Sequence, residues 1–480
     1  MNQISITKRV AKNFSWLVVG DVLSRGLNFF TIIYLARVLG ASAFGLFNFA
    51  QAILIYGLLL VDSGLSLLGT REIAKTKEHA GALTLNIIAV RSILSLILFA
   101  LSMLVIWLVP ATTDLKLLFV LTFIFVFSRA INVDWAFMGL EKMEFIAYSK
   151  ILTSACFFFL VVWLVKGSND LLTVPLIYAI SGVGISFLFL LLIFRLFTPF
   201  RLTHLKPSRW WDYLYESIPL GAVSIVTVMY HNMDTIMLGL MNQTAAVGLY
   251  NASYKLFYVV AGFIGLWQFA SLSVVTGYFK DSKAKALDFL DKYLRLTLLA
   301  VIPVITLITV FAGQIIYLAY GAEYLPGVSA LQVLIWGNLP LALSGVFGVL
   351  ILFPIGKSKE FFYGASVGAI ANLLLNLVLI PRYGYFGSSV ATLLSECLVA
   401  FAMYALVRKE YPVPIIKNAW IPVLASIASV LPLCWFTGGV FSVVLGSLVF
   451  CLIYFAVIYL FGEWKLIEKF LLETVRKNQP

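Results

Sequence analysis

Between Phe14 and Gly462 one apolar run follows another, most of them twenty residues or longer, with short polar turns between. No motif in the chain constrains its fold as strongly. In lipid only α-helices and closed barrels satisfy their own backbone N–H and C=O groups, and barrel strands alternate apolar with polar residues. These runs are continuous, so each reads as a helix, and about 20 apolar residues cross the hydrocarbon core. The charge content agrees: 12% of residues are charged and 62% hydrophobic, against about 25% charged in soluble domains. The expected fold is an all-α membrane protein with about 14 transmembrane helices. The spans are 14–37, 44–69, 82–109, 115–140, 147–166, 172–197, 214–241, 246–274, 293–319, 329–354, 360–380, 386–407, 416–437 and 440–462.

An even number of spans puts both termini on one side. Of the 34 Lys and Arg, Arg37, Lys116, Lys166 and Arg382 fall on the opposite side. Arg25, Arg91, Arg129 and Lys255 fall within spans, and the other 26 lie on the side of the termini. Positive loops stay in the cytoplasm, so both ends are expected there. One missed or surplus span would invert every later loop and erase the bias. The net charge of +12 is therefore a matter of topology and of contact with anionic membrane lipids, and no nucleic acid is expected as a partner. Lys8, Arg9 and Lys12 precede a first run too long for a cleavable signal. Cys156, Cys397, Cys434 and Cys451 lie in apolar runs, without metal spacing, and read as small core residues.

No motif of an enzyme survives scrutiny, and no cofactor or metal is expected. Gly356-Lys357-Ser358 ends like a phosphate loop, but position 351 is Ile where that loop needs its first Gly. The chain has no zinc-protease helix, nucleophile elbow or dinucleotide fingerprint.

The run of spans divides near its middle, at 198–213, where Arg201, Lys206, Arg209, Trp210 and Trp211 cluster. This stretch reads as a cytoplasmic linker between an N-terminal lobe, 1–197, and a C-terminal lobe, 214–407, with two further helices and a tail at 408–480. Gly45-Leu46-Phe47-Asn48 and Gly248-Leu249-Tyr250-Asn251 each open the second helix of a half. Such a parallel repeat implies two pseudo-symmetric six-helix lobes around a central cavity, where transporters bind their substrates. Residues 280–295 and the tail after Glu463, with Trp464, Ile467, Phe470 and Leu471, have helical apolar spacing. Each is either an interfacial helix or a solvated extension of its neighbour.

Ala36-Arg37-Val38-Leu39-Gly40 with Phe44-Gly45 resembles the first signature of bacterial polysaccharide exporters, the lipid-linked oligosaccharide flippases of the Wzx type. Met233-Asp234-Thr235-Ile236-Met237-Leu238-Gly239 and Tyr320-Gly321-Ala322-Glu323-Tyr324 fit the same family. So do Asn372, Asn376, Ile380-Pro381, Tyr383-Gly384, Gly387, Thr392 and Glu396. The wider superfamily covers multidrug, oligosaccharidyl-lipid and polysaccharide transporters. The resemblance implies fourteen helices in two lobes, alternating access, and export of undecaprenyl-diphosphate-linked sugar units, as for O-antigen in lipopolysaccharide, across the bacterial inner membrane. It also implies a polysaccharide polymerase and a chain-length regulator as partners, and a tail-holding groove at spans 13 and 14.

Charges inside the membrane cost about 3 kcal/mol on insertion scales and are rarely idle. Arg25 lies about 18 Å into the first span, with Asp21 one turn before it and Asn28 one turn after, on one face. It is either a cavity cation whose forked guanidinium grips a diphosphate or half of a closed pair with Asp21. In the second lobe Asn251, Lys255 and Tyr258 form a polar stripe; Lys255 is either a cavity-lining cation, the counterpart of Arg25, or half of a structural pair with Asp234, which lies at similar depth. Arg91 and Arg129, with Asp62 and Asp134 at similar depth, read as a local ion-pair network or as further phosphate contacts. Glu396 is a proton carrier or a hydrogen-bonded structural acid, and His231 is a relay partner of Asp234 or a helix-interface histidine. The competing functions are a multidrug or cation antiporter, which favours an acidic cavity, and a membrane-embedded glycan-transferring enzyme, which needs a large outer domain.

Overall fold

The computed structural model describes the backbone of residues 3–197, 201–241, 243–436 and 438–464, and their side chains except those of 3–11, 202, 222–231 and 434. These residues are helical with no strand. Eleven helical stretches are long and apolar enough to cross a membrane. Two of them are double crossings: Gln3–Asp62 bends at Gly40, and Ser358–Val407 bends at Gly384. With Trp210–Leu240 the described residues make fourteen crossings, so the all-helical fourteen-span fold stands.

Both bends sit at motif glycines. Gly40 has φ 76° and ψ 170°, and Gly384 has φ 55° and ψ −134°. Such backbone is essentially closed to side chains with a Cβ, which is why a glycine marks each turn. The leading glycines of the repeat also make close contacts within the first unit. A Cβ on Gly45 would lie 1.9 Å from the Thr244 carbonyl oxygen, and one on Gly248 would lie 2.0 Å from that of Ala41. The recurring Gly is there for close helix contact.

Several expected spans are broken. The run 115–140 folds as Thr113–Phe123, Val126–Ile131 and Asp134–Gly139. The breaks free backbone groups that side chains then meet; the Trp135 indole, for example, donates to the Asn132 carbonyl at 3.0 Å. The stretch at 280–295 is no separate interfacial helix. Thr244–Asp281 and Lys283–Val310 run through it, broken at Ser282, whose hydroxyl accepts from the Ala284 N–H at 3.2 Å. Of the tail's apolar positions only Trp464 is within the described residues.

The chain packs as two compact units, Met1–Gly248 and Leu249–Pro480. The expected linker thus falls inside the first unit, and one residue accounts for much of that. The buried side chain of Asn86, in the third crossing, donates to the His204 carbonyl at 2.8 Å. It also accepts from the Lys206 N–H at 2.8 Å and the Trp210 indole at 2.9 Å. The first unit has a core of Leu65, Leu68, Ile73, Ile87, Val133, Trp135, Phe137 and Phe189. In the second, Tyr293, Leu294 and Leu298 pack with Phe347, Leu350 and Met403. The last two crossings, Ile415–Val430 and Val440–Leu460, pack on Lys283–Val310 through Leu299, Phe311, Ala425, Phe450 and Tyr454.

Candidate functional site

The first crossing and Met143–Leu164 approach at Gly20, where an added Cβ would lie 2.7 Å from the Ala147 Cα. Only a glycine permits that approach, and it brings the polar face of one helix beside that of the other. One turn on, a cavity of about 480 Å³ opens within the first unit. Its wall carries Asp21, Arg25 and Asn28 from the first helix, Arg129, Asn132 and Asp134 from the broken fourth crossing, and Lys150 from Met143–Leu164. Ser24, Ser128, Ser149, Thr153, Ser154 and Ser186 supply hydroxyls around them. The i, i+4, i+7 spacing of Asp21, Arg25 and Asn28 does place them on one cavity-facing side.

Asp21 holds two cations. Its Oδ2 accepts from Arg25 Nε at 2.6 Å, and its Oδ1 lies 3.3 Å from Lys150 Nζ. Both cations keep solvent-accessible surface: 71% of the Arg25 side chain and 41% of Lys150. Ion pairs this exposed contribute only about 0–1 kcal/mol. The Asp21–Arg25 pair is therefore made but not sealed, and Arg25 is part of the cavity wall.

Asp62 organises a second cluster at the C-terminal end of Gln3–Asp62. Arg91 bonds its Oδ1, and Arg129 NH2 lies 3.2 Å from its Oδ2. Arg91 also donates to Ser66 Oγ at 2.5 Å and to the Asn132 carbonyl at 3.3 Å, and its guanidinium lies 5.6 Å from the Trp135 ring centroid. The two arginines are unequal. Arg129 is 35% exposed and lines the cavity, whereas Arg91 is 0% exposed and does not. This corrects the expectation of Arg91 as a cavity cation, because Asp62, Ser66 and Trp135 enclose its head. Asp134 stands on the cavity wall and forms no ion pair among the described residues, so the expected four-residue network has three members.

Of the other expected residues, Asn251, Lys255 and Glu396 lie in the second unit, and Asp234 and His231 in the first. Lys255 is half-buried on Thr244–Asp281. Asn251 is buried one turn before it, and Tyr258 is exposed beyond. A column of rings flanks this stripe, with Tyr254 stacked 5.2 Å from Tyr250 and 5.4 Å from Phe257. Asp234 and Glu396 are both buried. The side chain of His231 lies outside the described residues.

Lys150 is the cavity residue that sequence reasoning missed. It stands near the N-terminal end of Met143–Leu164, where in sequence it reads as one more basic residue on the side of the termini. The signal that finds it is spacing: Lys150, Thr153 and Ser154 mark one polar face of an otherwise apolar helix.

Known proteins resemble this chain in sequence and in fold. A chain of Escherichia coli (strain K12), whose name provisionally ascribes O-antigen transport to it, is 24% identical over 414 residues, covering 83% of this chain and 97% of that one. Among solved structures, the lipid II flippase MurJ in an inward closed conformation superposes with a TM-score of 0.72 at 16% identity, over 93% of this chain and 98% of that one. An inward-facing multidrug resistance MATE family transporter of the MOP superfamily gives 0.64 at 16% identity, over 84% and 98%. Both likenesses are likenesses of fold. Residues 10–276, more than half of the chain, match the family described as polysaccharide biosynthesis protein, and the chain belongs to that family.

Proposed function

We propose that the protein is a flippase that carries undecaprenyl-diphosphate-linked oligosaccharide units, O-antigen or a similar surface polysaccharide, across the bacterial inner membrane by alternating access. The observation that carries this reading is the membrane-embedded cavity on which Arg25, Arg129 and Lys150 outnumber Asp21 and Asp134. A cationic, water-reachable wall suits a diphosphate, whose oxygens accept charge-assisted bonds from guanidinium and ammonium groups. The hydroxyl-rich remainder suits the first sugars. Lys255 is a further candidate diphosphate-binding cation. Asn28, Asn251, Asp234, His231 and Glu396 are assigned supporting or ion-coupling roles.

The prenyl tail needs an apolar path. Grooves of about 460 and 370 Å³ share Val430 and Leu431 and are lined by Phe311, Leu433 and Phe436 and by Ile302, Trp336 and Ile427. They suit a chain that stays in lipid while its headgroup crosses. Both termini are cytoplasmic in this reading, the protein is not an enzyme, and a polysaccharide polymerase and a chain-length regulator use the delivered units.

A cation antiporter of the same superfamily is the second reading, supported by the MATE likeness and opposed by the positive wall. Purified protein in liposomes separates these readings. A labelled undecaprenyl-diphosphate sugar is expected to change leaflet unaltered. Chemical conversion of the label, or transport of a lipophilic cation in its place, would refute the proposal.

A further inference from the structure

We infer that Asp21 is a built-in stand-in for the substrate's diphosphate: it occupies Arg25 and Lys150 while the cavity is empty and gives them up when the headgroup arrives. The inference rests on the flippase reading and adds to it a new binding residue, Lys150, and an exchange step.

Three observations carry it. First, the two oxygens of Asp21 are divided between cations from two different helices, Arg25 at 2.6 Å and Lys150 at 3.3 Å. A diphosphate bridges two cations in the same way, with more oxygens and more charge. Second, all three side chains line one cavity and keep accessible surface there. Third, the neighbouring acidic group behaves differently. Asp62 holds Arg91, which has no exposed surface, and only the partly exposed Arg129 faces the cavity. Exchange is open at Asp21 and closed at the Asp62–Arg91 pair.

The device has a consequence for transport. Cations left bare would bind the headgroup too firmly to release it. A tethered carboxylate that returns to them lowers the net affinity and completes the cycle. Removing its charge changes the wall from three cations against two carboxylates to three against one, Asp134.

The test uses the full-length purified protein in detergent, titrated with inorganic pyrophosphate and, separately, with a short-chain isoprenyl diphosphate. Translocation in liposomes is measured alongside. Asp21→Asn is expected to bind diphosphate roughly tenfold tighter, as one removed competing charge is worth about that factor, and to translocate more slowly. A merely structural Asp21 would lower both. Lys150→Gln, in an otherwise unchanged chain, is expected to bind several-fold more weakly. Tightening with either probe supports exchange, and tightening with the isoprenyl probe alone assigns it to a lipid-borne headgroup. Unchanged or weaker binding by Asp21→Asn, while Arg25→Ala still weakens it, overturns this inference and leaves the flippase reading standing. Unchanged affinity in Lys150→Gln overturns the role of Lys150. Failure of the unmodified protein to bind either diphosphate overturns both.

Discussion

Arg25 and Arg91 are the same chemical group in the same lobe, yet their surroundings give them opposite sensitivities. Arg91 is fully enclosed with Asp62, and removing one partner of a buried pair costs about 3–5 kcal/mol because the other charge is stranded. Arg91→Ala is therefore expected to lower the apparent melting temperature and the yield of monodisperse protein in detergent. Arg25→Ala gives up an exposed pair worth about 0–1 kcal/mol and should melt close to the unmodified chain. Fluorescence-detected melting of the two variants checks this; equal losses would contradict the division. The sequence shows a charge inside an apolar run equally in both cases. What separates them is Trp135 and Ser66 closing over Arg91, a tertiary fact with no local signature. The Asp21–Arg25–Asn28 stripe was legible because helical periodicity alone puts it on one face. Lys150 was not, since a cation near a span's inner end is what topology already demands.

Among the helices, two kinds of joint invite tests. Gly40 and Gly384 hold backbone that costs a residue with a Cβ about 1–3 kcal/mol. Gly40→Ala and Gly384→Ala should each lower the melting temperature, and together the losses should add, whereas Gly265→Ala, where an added Cβ meets nothing within 4 Å, should not. The second joint ties the last crossing to the second unit. Glu463, 1% exposed, pairs with Arg295, and the Tyr454 hydroxyl donates to the Leu299 carbonyl at 2.8 Å. Glu463→Leu alone strands a partly buried arginine. Pairing it with Arg295→Met should recover stability, as replacement of buried ion pairs by apolar groups often does. Limited proteolysis reads the result; a double variant no better than the single one would contradict it. Spans were legible from apolar length, and the two bends from motif glycines. The division of 115–140 into three was legible only in part: the first break, at Ile124-Phe125, falls in an apolar stretch, and only the second, at Asn132-Val133, is flanked by polar residues. The anchoring of 201–210 by Asn86, which in sequence is one amide in an apolar stretch, was not legible.

For the molecule as a whole, the distribution of basic residues makes a topological prediction. Single cysteines at Lys166 and Arg382, in a variant lacking the native cysteines, should react in intact cells with a membrane-impermeant thiol reagent. Cysteines at Lys283 and Arg408 should react only after permeabilisation. Labelling on the wrong side at any one position would break the fourteen-span assignment. The fold was readable at this scale because lipid leaves a chain so few choices. The location of the cavity inside the first unit was not, since it depends on a glycine-mediated contact between helices more than a hundred residues apart.

On the flippase proposal, cations on this cavity wall carry the diphosphate of a lipid-linked sugar. The most direct test is the initial rate at which labelled undecaprenyl-diphosphate sugar changes leaflet in liposomes holding equal amounts of folded unmodified protein or Arg25→Ala. A charge-assisted hydrogen bond is worth about 1.5–3 kcal/mol, so the rate is predicted to fall roughly tenfold to a hundredfold. Equal rates from the two proteins would contradict the account.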